Sequence, residues 1–270
     1  MKVRMITAAA LIPVLLAVLL FAPTILFAIV VGALCAIGAY ELLAGTGMVK
    51  HIRLVSYTVL IAFCVPLWCH FGMNSWWALL GISLFMIALF AELLISHGKL
   101  RFERICTCLM AGILVPYLLS SLVRIITLGN GRQLILIPFV LAFLSDSGAY
   151  FIGRALGRHK LAPVISPNKT VEGLVGGVIT SILGMLLYCW ILDLAADFSI
   201  NYLYAITYGI IGSLVGVMGD LVFSAIKRQA GIKDYGHILP GHGGVLDRFD
   251  SVILVTPIVE LLFVLLPVVE

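Results

Sequence analysis

The stretch TILFAIVVGALCAIGAYELLA, residues 24–44, contains 21 residues and a single charged one, Glu41. A helix needs about 20 apolar residues to cross a hydrocarbon core of roughly 30 Å. Backbone polar groups in lipid must be hydrogen-bonded within their own segment, which a helix allows and an open strand does not. The stretch therefore predicts a transmembrane helix.

Runs of this kind recur along the whole chain. Only 11% of residues are charged, against about 25% in ordinary soluble domains, and the mean hydropathy is +1.18. We predict nine spans, at residues 5–22, 24–44, 54–71, 76–95, 105–128, 134–152, 171–192, 203–226 and 245–267. The fold class expected is an all-α, polytopic membrane protein.

The distribution of positive charge predicts the orientation of these spans. Of the 17 Lys and Arg residues, all but Arg124 and Arg132 fall on one set of alternate connections, which includes the N-terminus. Cytoplasmic connections are enriched in Lys and Arg, so we expect a cytoplasmic N-terminus and a C-terminus outside. We interpret the net charge of +4 mainly as a consequence of this topology. Affinity for anionic membrane lipids is a secondary inference, and no nucleic-acid partner is implied.

The two halves of the chain differ in their polar content. Residues 1–130 have short loops and few acids within spans, the exceptions being Glu41 and Glu92. Both lie near predicted cytoplasmic helix ends, where interfacial pairing with Lys or Arg would account for them. Residues 131–270 contain two long basic loops and several acids in apolar helices. We therefore predict a scaffold over 1–130 and a catalytic part over 131–270.

Four aspartates of the second half are candidates for metal binding. Asp146, Asp220, Asp247 and Asp250 all lie in or at the ends of predicted spans, where an ionisable side chain is costly unless it is paired or solvated. Asp247 and Asp250 are three residues apart and share a helix face. Carboxylates without Cys or His at ligand spacing suit a hard cation such as Mg²⁺. The alternative interpretation is a set of Asp–Arg pairs that only hold helices together.

Groups that bind anions lie beside these acids. Four cations, Lys227, Arg228, Lys233 and Arg248, could neutralise phosphate. The sequence PGHGG, residues 240–244, leads into a predicted helix, where the amides of Gly243 and Gly244 could approach an anion. His242 could donate a proton or a hydrogen bond to phosphate, or be a structural loop residue.

A second basic loop precedes the helix predicted near residue 171. It contains SPNKT, residues 166–170, in which Lys169 could contact a triphosphate or anchor the loop on the cytoplasmic side. Thr170 is a plausible N-cap, with Glu172 in the first turn. Gly173, Gly176 and Gly177 indicate close helix packing.

Acids and cations together at the end of a helix pair suit metal-dependent phosphoryl or nucleotidyl transfer. An ion-coupled transporter is one alternative, because intramembrane aspartates also mark ion paths. Another is a different membrane transferase that acts on a lipid phosphate. Pyrophosphate release from a nucleoside triphosphate, with and without a lipid phosphate, distinguishes the three.

Longer segments carry a family resemblance. SAIKRQAGIKD (224–234) followed by LPGHGGVLDRFD (239–250) resembles the signature of the phosphatidate cytidylyltransferases, or CDP-diacylglycerol synthases. SDSGAY (145–150) and SPNKTVEG (166–173) resemble the same family. Asn168 departs from the pattern, since a second lysine is common there. The resemblance covers roughly residues 140–255.

The resemblance implies a reaction: CTP and phosphatidate give CDP-diacylglycerol and pyrophosphate, with Mg²⁺ required. It also implies a multi-pass enzyme of a bacterial-type inner membrane with its site facing the cytoplasm. A second cation and a homodimer are left open. The residues expected in catalysis are Lys227, Arg228, Lys233, Asp234, His242 and Arg248. Those expected to bind substrate are Ser166, Asn168, Lys169, Thr170, Ser224, Gly243 and Gly244, and those expected at the metal are Asp146, Asp220, Asp247 and Asp250.

Overall fold

The computed structural model describes residue 13 and residues 15–72, 75–196, 198–238 and 243–269. These residues form two compact units. The first comprises Met1–Leu128 and Gln229–Arg248, and the second comprises Gly129–Arg228 and Phe249–Glu270. The functional division into a scaffold and a catalytic part stays a prediction.

The first unit consists of helices joined by short connections. Its elements are α1 (residues 15–21), α2 (Thr24–Tyr40), a π-helical turn (Glu41–Gly45), α3 (Ile52–His70), α4 (Ser75–Ile95), α5 (Phe102–Leu109), a second π-helical turn (Met110–Leu114), α6 (Val115–Leu119) and α7 (Ser121–Ile126). Helices α2 and α3 pack closely at Gly32, where a Cβ atom would lie 2.8 Å from the Phe63 carbonyl oxygen. Gly32 therefore allows the two backbones to approach.

The second unit contains three long helices and a small hairpin. Its elements are α8 (Gly131–Leu134), α9 (Ile137–Leu156), β1 (Lys160–Ala162), β2 (Ser166–Thr170), α10 (Val171–Ala196) and α11 (Tyr202–Gln229). Helix α12 (Leu246–Leu265) begins in the first unit and continues into the second. Strands β1 and β2 are antiparallel, with Lys160 opposite Thr170. Within the described residues, this hairpin is the exception to an all-helical architecture.

The predicted role of the glycines after Thr170 is confirmed. A Cβ atom at Gly173 would lie 2.8 Å from the Ala149 carbonyl oxygen, and one at Gly177 would lie 2.9 Å from that of Ser145. Helix α10 therefore packs directly on the backbone of α9. The Ser145 and Ser213 hydroxyls share a buried hydrogen bond of 2.6 Å, which links α9 to α11. This three-helix arrangement positions the residues discussed below.

Seven described helical stretches are long and apolar enough to cross a membrane. They are Thr24–Gly45, Ile52–His70, Trp76–Ile95, Phe102–Ile126, Gly131–Leu156, Val171–Ala195 and Tyr202–Gln229. Seven of the nine predicted runs thus coincide with candidate spans. Half of the predicted run 5–22 lies outside the described residues, and the other half includes α1. The run 245–267 corresponds to α12, which is helical but is not among the seven, and which carries Asp247, Arg248 and Asp250 in its first turns.

Candidate active site

A cavity of about 430 Å³ lies in the second unit, beside the hairpin. Helix α9, strand β2 and helix α11 supply the polar side chains of its wall: Asp146, Tyr150, Arg154, Asn168, Lys169, Thr170 and Asp220. The structure thus places residues of the predicted SPNKT segment and two of the predicted acids around one space.

Lys169 and Asp220 form an ion pair in this cavity, with 2.5 Å between Lys169 Nζ and Asp220 Oδ2. One turn further along α11, the Ser224 hydroxyl donates a hydrogen bond of 3.0 Å to Asp220 Oδ1. The side chains of Lys169 and Asp220 are only 22% and 25% exposed, so solvent screens their attraction weakly. The sequence assigned the two residues to different ligands, whereas the structure pairs them directly.

Local contacts of the hairpin fix the position of Lys169. Thr170 Oγ1 accepts a hydrogen bond of 3.1 Å from the Gly173 amide, which confirms the predicted N-cap of α10. Glu172 accepts hydrogen bonds from the amides of Arg158 and His159, and lies 2.6 Å from His159 Nδ1. These contacts tie the end of β2 to the segment after α9, so Lys169 is presented from a fixed strand end.

Asp146 and Asp250 approach each other in the same unit. The Ser251 hydroxyl donates a hydrogen bond of 3.2 Å to Asp146 Oδ2, and Asp250 Oδ1 accepts one of 2.8 Å from the Ser251 amide. Asp250 is only 9% exposed. It is repelled electrostatically by Asp220 and Asp146 and attracted by Lys227. Three of the four predicted acids therefore act on one another within the second unit.

The chemistry of these acids suits a hard cation, because they offer carboxylate oxygens as ligands and concentrate negative charge. Among the described residues, however, no three His, Cys, Asp or Glu side chains converge closely enough to hold a metal ion. Asp220 is occupied by Lys169 instead. The ligand assignment therefore stays a prediction.

Two further predicted cations belong to the second unit. Lys227 is buried in α11, with 8% exposure. Arg228 Nε donates a hydrogen bond of 3.4 Å to the Ile165 carbonyl oxygen, in the loop between the two strands. Ser166 lies on β2 opposite Ala162. In this conformation Arg228 therefore supports the hairpin that carries Lys169.

The glycine-rich loop ends in the first unit, where Asp247 organises it. Asp247 Oδ2 accepts hydrogen bonds from the amides of Tyr235, at 2.8 Å, and Gly244, at 2.9 Å. Gly243 has a φ of +84°, a left-handed conformation that suits glycine. The predicted contact of the Gly244 amide with phosphate stays a prediction, and in this structure that amide points at Asp247.

Two of the remaining predicted residues of the first unit line a second cavity. Lys233 and Asp234 line a space of about 450 Å³ together with Tyr40, Glu41 and Tyr235. Arg248 is exposed in the first turn of α12. His242 lies outside the described residues.

The two acids of the first half have different environments. Glu92 pairs with Arg53 at 3.5 Å, as the interfacial interpretation predicted. The same interpretation is wrong for Glu41, whose carboxylate is buried and accepts hydrogen bonds from the amides of Val245 and Leu246. Sequence reasoning named this residue but missed its contact with these amides. The available signal was a lone carboxylate in an otherwise apolar run, which marks a functional candidate.

A largely helical protein with seven candidate spans among its described residues belongs to the class of multi-pass membrane proteins. Comparison with known proteins is more specific: the chain belongs to the cytidylyltransferase family, whose model matches residues 2–266. The match covers nearly the whole chain, including the first half, where the sequence itself showed no signature.

Individual relatives agree with this assignment. The phosphatidate cytidylyltransferase of Staphylococcus epidermidis is 35% identical over 275 residues, which cover 98% of this chain and 99% of the relative. That of Staphylococcus aureus is 36% identical over 271 residues, with coverage of 98% and 99%. That of Bacillus subtilis is 38% identical over 248 residues, with coverage of 88% and 89%. The resemblance noted in the sequence is confirmed.

Proposed function

We propose that this chain is a phosphatidate cytidylyltransferase. It transfers the cytidylyl group of CTP to phosphatidate, releases pyrophosphate and forms CDP-diacylglycerol for phospholipid biosynthesis. The observation that carries this proposal is the end-to-end match with relatives of that name. The cavity beside the hairpin supports it, because a paired lysine and carboxylate under a helix N-terminus suit a polyphosphate substrate.

The reaction joins two anions, so the protein must supply positive charge and hold the two substrates in position. The phosphatidate phosphate is already a nucleophile near neutral pH, so a strong general base is unnecessary. The repulsion between this phosphate and the triphosphate has to be overcome, and pyrophosphate has to leave. Positioning and charge neutralisation therefore account for most of the catalysis. Lys169 and Lys227 offer these charges in the second unit, and Lys233 and Arg248 offer them in the first.

We infer direct in-line attack of a phosphatidate oxygen on the α-phosphorus of CTP. The new P–O bond forms as the bond to pyrophosphate breaks, and pyrophosphate departs with the electron pair. Lysine and arginine side chains stabilise the charge that develops on the phosphate oxygens. When bound, Mg²⁺ would offset further charge on these oxygens. Asp146, Asp220 and Asp250 are the residues of the second unit that would hold it, and Asp247 is the additional predicted ligand.

The ion pair between Lys169 and Asp220 has a consequence for substrate binding. A lysine that contacts the triphosphate must give up part of its contact with Asp220, and this releases a carboxylate oxygen for another cation. The exchange keeps both charges neutralised throughout, which limits the cost of separating them in a poorly solvated site. We therefore propose that Lys169 moves from Asp220 to phosphate when CTP binds.

Pyrophosphate release tests the function and the route together. Purified protein in phosphatidate-containing micelles should release pyrophosphate from CTP with sequential kinetics, and should release none without phosphatidate. A covalent cytidylyl-enzyme on Ser224 or His242 would instead show ping-pong kinetics and exchange labelled pyrophosphate into CTP without lipid. Exchange in lipid-free protein would rule out direct attack. Absence of lipid-dependent release would overturn the proposed function.

We further propose that nine spans cross the membrane, with the N-terminus and the active site in the cytoplasm. The proposal rests on the one-sided distribution of Lys and Arg. CTP is available in the cytoplasm, so this orientation places the cationic loops where the nucleotide is. The homodimer and the second cation stay predictions from the sequence.

Thiol labelling in intact cells tests the orientation. In a background without the six native cysteines, Asn130→Cys and Ser199→Cys should react with an impermeant thiol reagent added from outside. His237→Cys should react only after the membrane is permeabilised. All three positions are exposed, so accessibility in the fold does not bias the comparison. The reverse pattern would overturn the orientation.

A further inference from the structure

Glu41 is a buried carboxylate that binds backbone amides of the signature segment. Its residue exposure is 2%. Glu41 Oε1 accepts a hydrogen bond of 2.9 Å from the Val245 amide, and Oε2 accepts one of 2.9 Å from the Leu246 amide. Each carboxylate oxygen thus has its own donor, in a bidentate contact with residues 204 and 205 positions away in the sequence.

The two amides lie at the N-terminus of α12. The first amides of a helix have no partner within the helix and attract negative charge. An N-cap side chain serves the amides two or three positions further on, so these two need another acceptor. Here the residue before the helix is Val245, which has no acceptor in its side chain. Glu41, at the start of the π-helical turn that follows α2, supplies acceptors for the amides of Val245 and Leu246.

The backbone around Glu41 is shaped for this contact. Glu41 begins the π-helical turn Glu41–Gly45, a feature often found at functional sites. A Cβ atom at Gly244 would lie 2.6 Å from the Glu41 carboxylate, and one at Gly236 would also lie 2.6 Å from it. At Gly45 a Cβ atom would collide with the Tyr235 carbonyl oxygen. Three glycines therefore make room for the approach.

Asp247 binds two further backbone amides of the same region. Glu41 binds the amides of Val245 and Leu246, and Asp247 binds those of Tyr235 and Gly244. The two carboxylates repel each other electrostatically. This repulsion is offset because each carboxylate accepts hydrogen bonds from two amides. The segment that leads into α12 is therefore held at four amides by two acids.

We propose that Glu41 is a positioning residue of the active site. It fixes the N-terminal turn of α12 and thereby the placement of Asp247 and Arg248. Glu41 acts through the backbone and is not assigned a contact with substrate. The expected effect of Glu41 on turnover rests on the proposed function. The contact itself can be tested without measuring activity.

The first test compares Glu41→Gln with Glu92→Gln. Glutamine keeps the shape of the side chain, but its NH2 group would face one of the two amides, so one hydrogen bond is replaced by a donor–donor clash. We expect kcat and kcat/KM for CTP to fall together by about 10²-fold, the cost of a small misplacement of catalytic groups. Glu92→Gln removes the other buried acid of this half, which pairs with Arg53, and should leave turnover near that of the wild type.

The second test uses Gly244→Ala in a double-mutant cycle with Glu41→Ala. Gly244→Ala alone should lower turnover, because the new methyl group displaces the Glu41 carboxylate from the two amides. In the Glu41→Ala background the collision is gone, so the same substitution should cause little further loss of folded protein or activity. Losses that multiply independently would overturn the proposed contact.

Hydrogen exchange separates this inference from the proposed function. We expect the peptide containing residues 243–248 to exchange faster in Glu41→Ala than in the wild type, and to be unchanged in Glu92→Gln. Unchanged exchange in Glu41→Ala would overturn the inference. Faster exchange together with full turnover would also overturn it, since the contact would then not position the site. If the wild-type protein showed no phosphatidate-dependent pyrophosphate release, the proposed function would be wrong. Hydrogen exchange would still test the contact between Glu41 and the two amides.

Discussion

Asp220→Asn is expected to reduce turnover by at least 10²–10³-fold, roughly the loss seen when one charged or hydrogen-bonding contact is removed from a poorly solvated active site. Asp220 is the carboxylate that pairs with Lys169 at 2.5 Å and accepts the Ser224 hydroxyl. Asparagine keeps the size and one acceptor oxygen but removes the charge. Initial rates of pyrophosphate release, normalised to folded protein in detergent, measure the effect.

A double variant distinguishes a catalytic role for Asp220 from a structural one. If Asp220 served only to neutralise Lys169, then Asp220→Asn alone would lower the thermal stability, and adding Lys169→Met would restore it, because both charges of the pair are removed together. We expect the double variant to fold and remain inactive. Recovery of activity in it would contradict the proposed role.

Asp193→Asn is the matched control for Asp220. Asp193 lies near the other end of α10 and accepts a hydrogen bond from the Tyr202 hydroxyl. At 1.5 Å per residue, the helix separates it from the hairpin by roughly 30 Å. We expect this substitution, at that distance from the hairpin, to leave turnover unchanged. Such a result would show that the protein tolerates the loss of a carboxylate away from the site.

Asp247→Asn is expected to lose turnover by a similar factor, about 10²–10³, with the loop intact. The amides of Tyr235 and Gly244 both donate to the same oxygen, Oδ2. An asparagine carbonyl oxygen can accept both bonds, so the substitution removes the charge and keeps the contacts. Asp247→Ala removes the contacts too, and should lower thermal stability as well as turnover.

The comparison of these two variants identifies the role of Asp247. Near-wild-type turnover in Asp247→Asn, with loss in Asp247→Ala, would show that the side chain only holds the loop. Glu260→Gln, on the same helix and about 20 Å further along it, is the control and should retain turnover. Rates and melting temperatures measured in the same detergent provide both readouts.

Local features were predicted well because they depend on neighbouring residues. The N-cap at Thr170 and the close packing at Gly173 and Gly177 follow from short-range sequence patterns, and the structure confirms them. The hairpin before Thr170 was missed, since strands of three and five residues show no periodicity. Its geometry comes instead from Glu172, which binds the amides of Arg158 and His159.

Partners distant in sequence were predicted less well. Lys169 and Asp220 were both chosen as site residues, yet as ligands of different groups, and the structure pairs them. Glu41 was assigned to an interfacial ion pair, and the structure places it on the amides of α12. A charged residue in an apolar run signals that a partner is needed, but the run itself does not identify that partner.

The sequence by itself determined the helical, membrane-type architecture of this protein. Apolar length is a property of each segment alone, and lipid obliges each segment to satisfy its own backbone hydrogen bonds. The tertiary structure decided which polar groups meet: Glu41 with the start of α12, and Lys169 with Asp220. These contacts depend on how helices pack against each other. Close backbone approach at glycines such as Gly32 and Gly177 determines that packing, and hydropathy along the chain does not encode it.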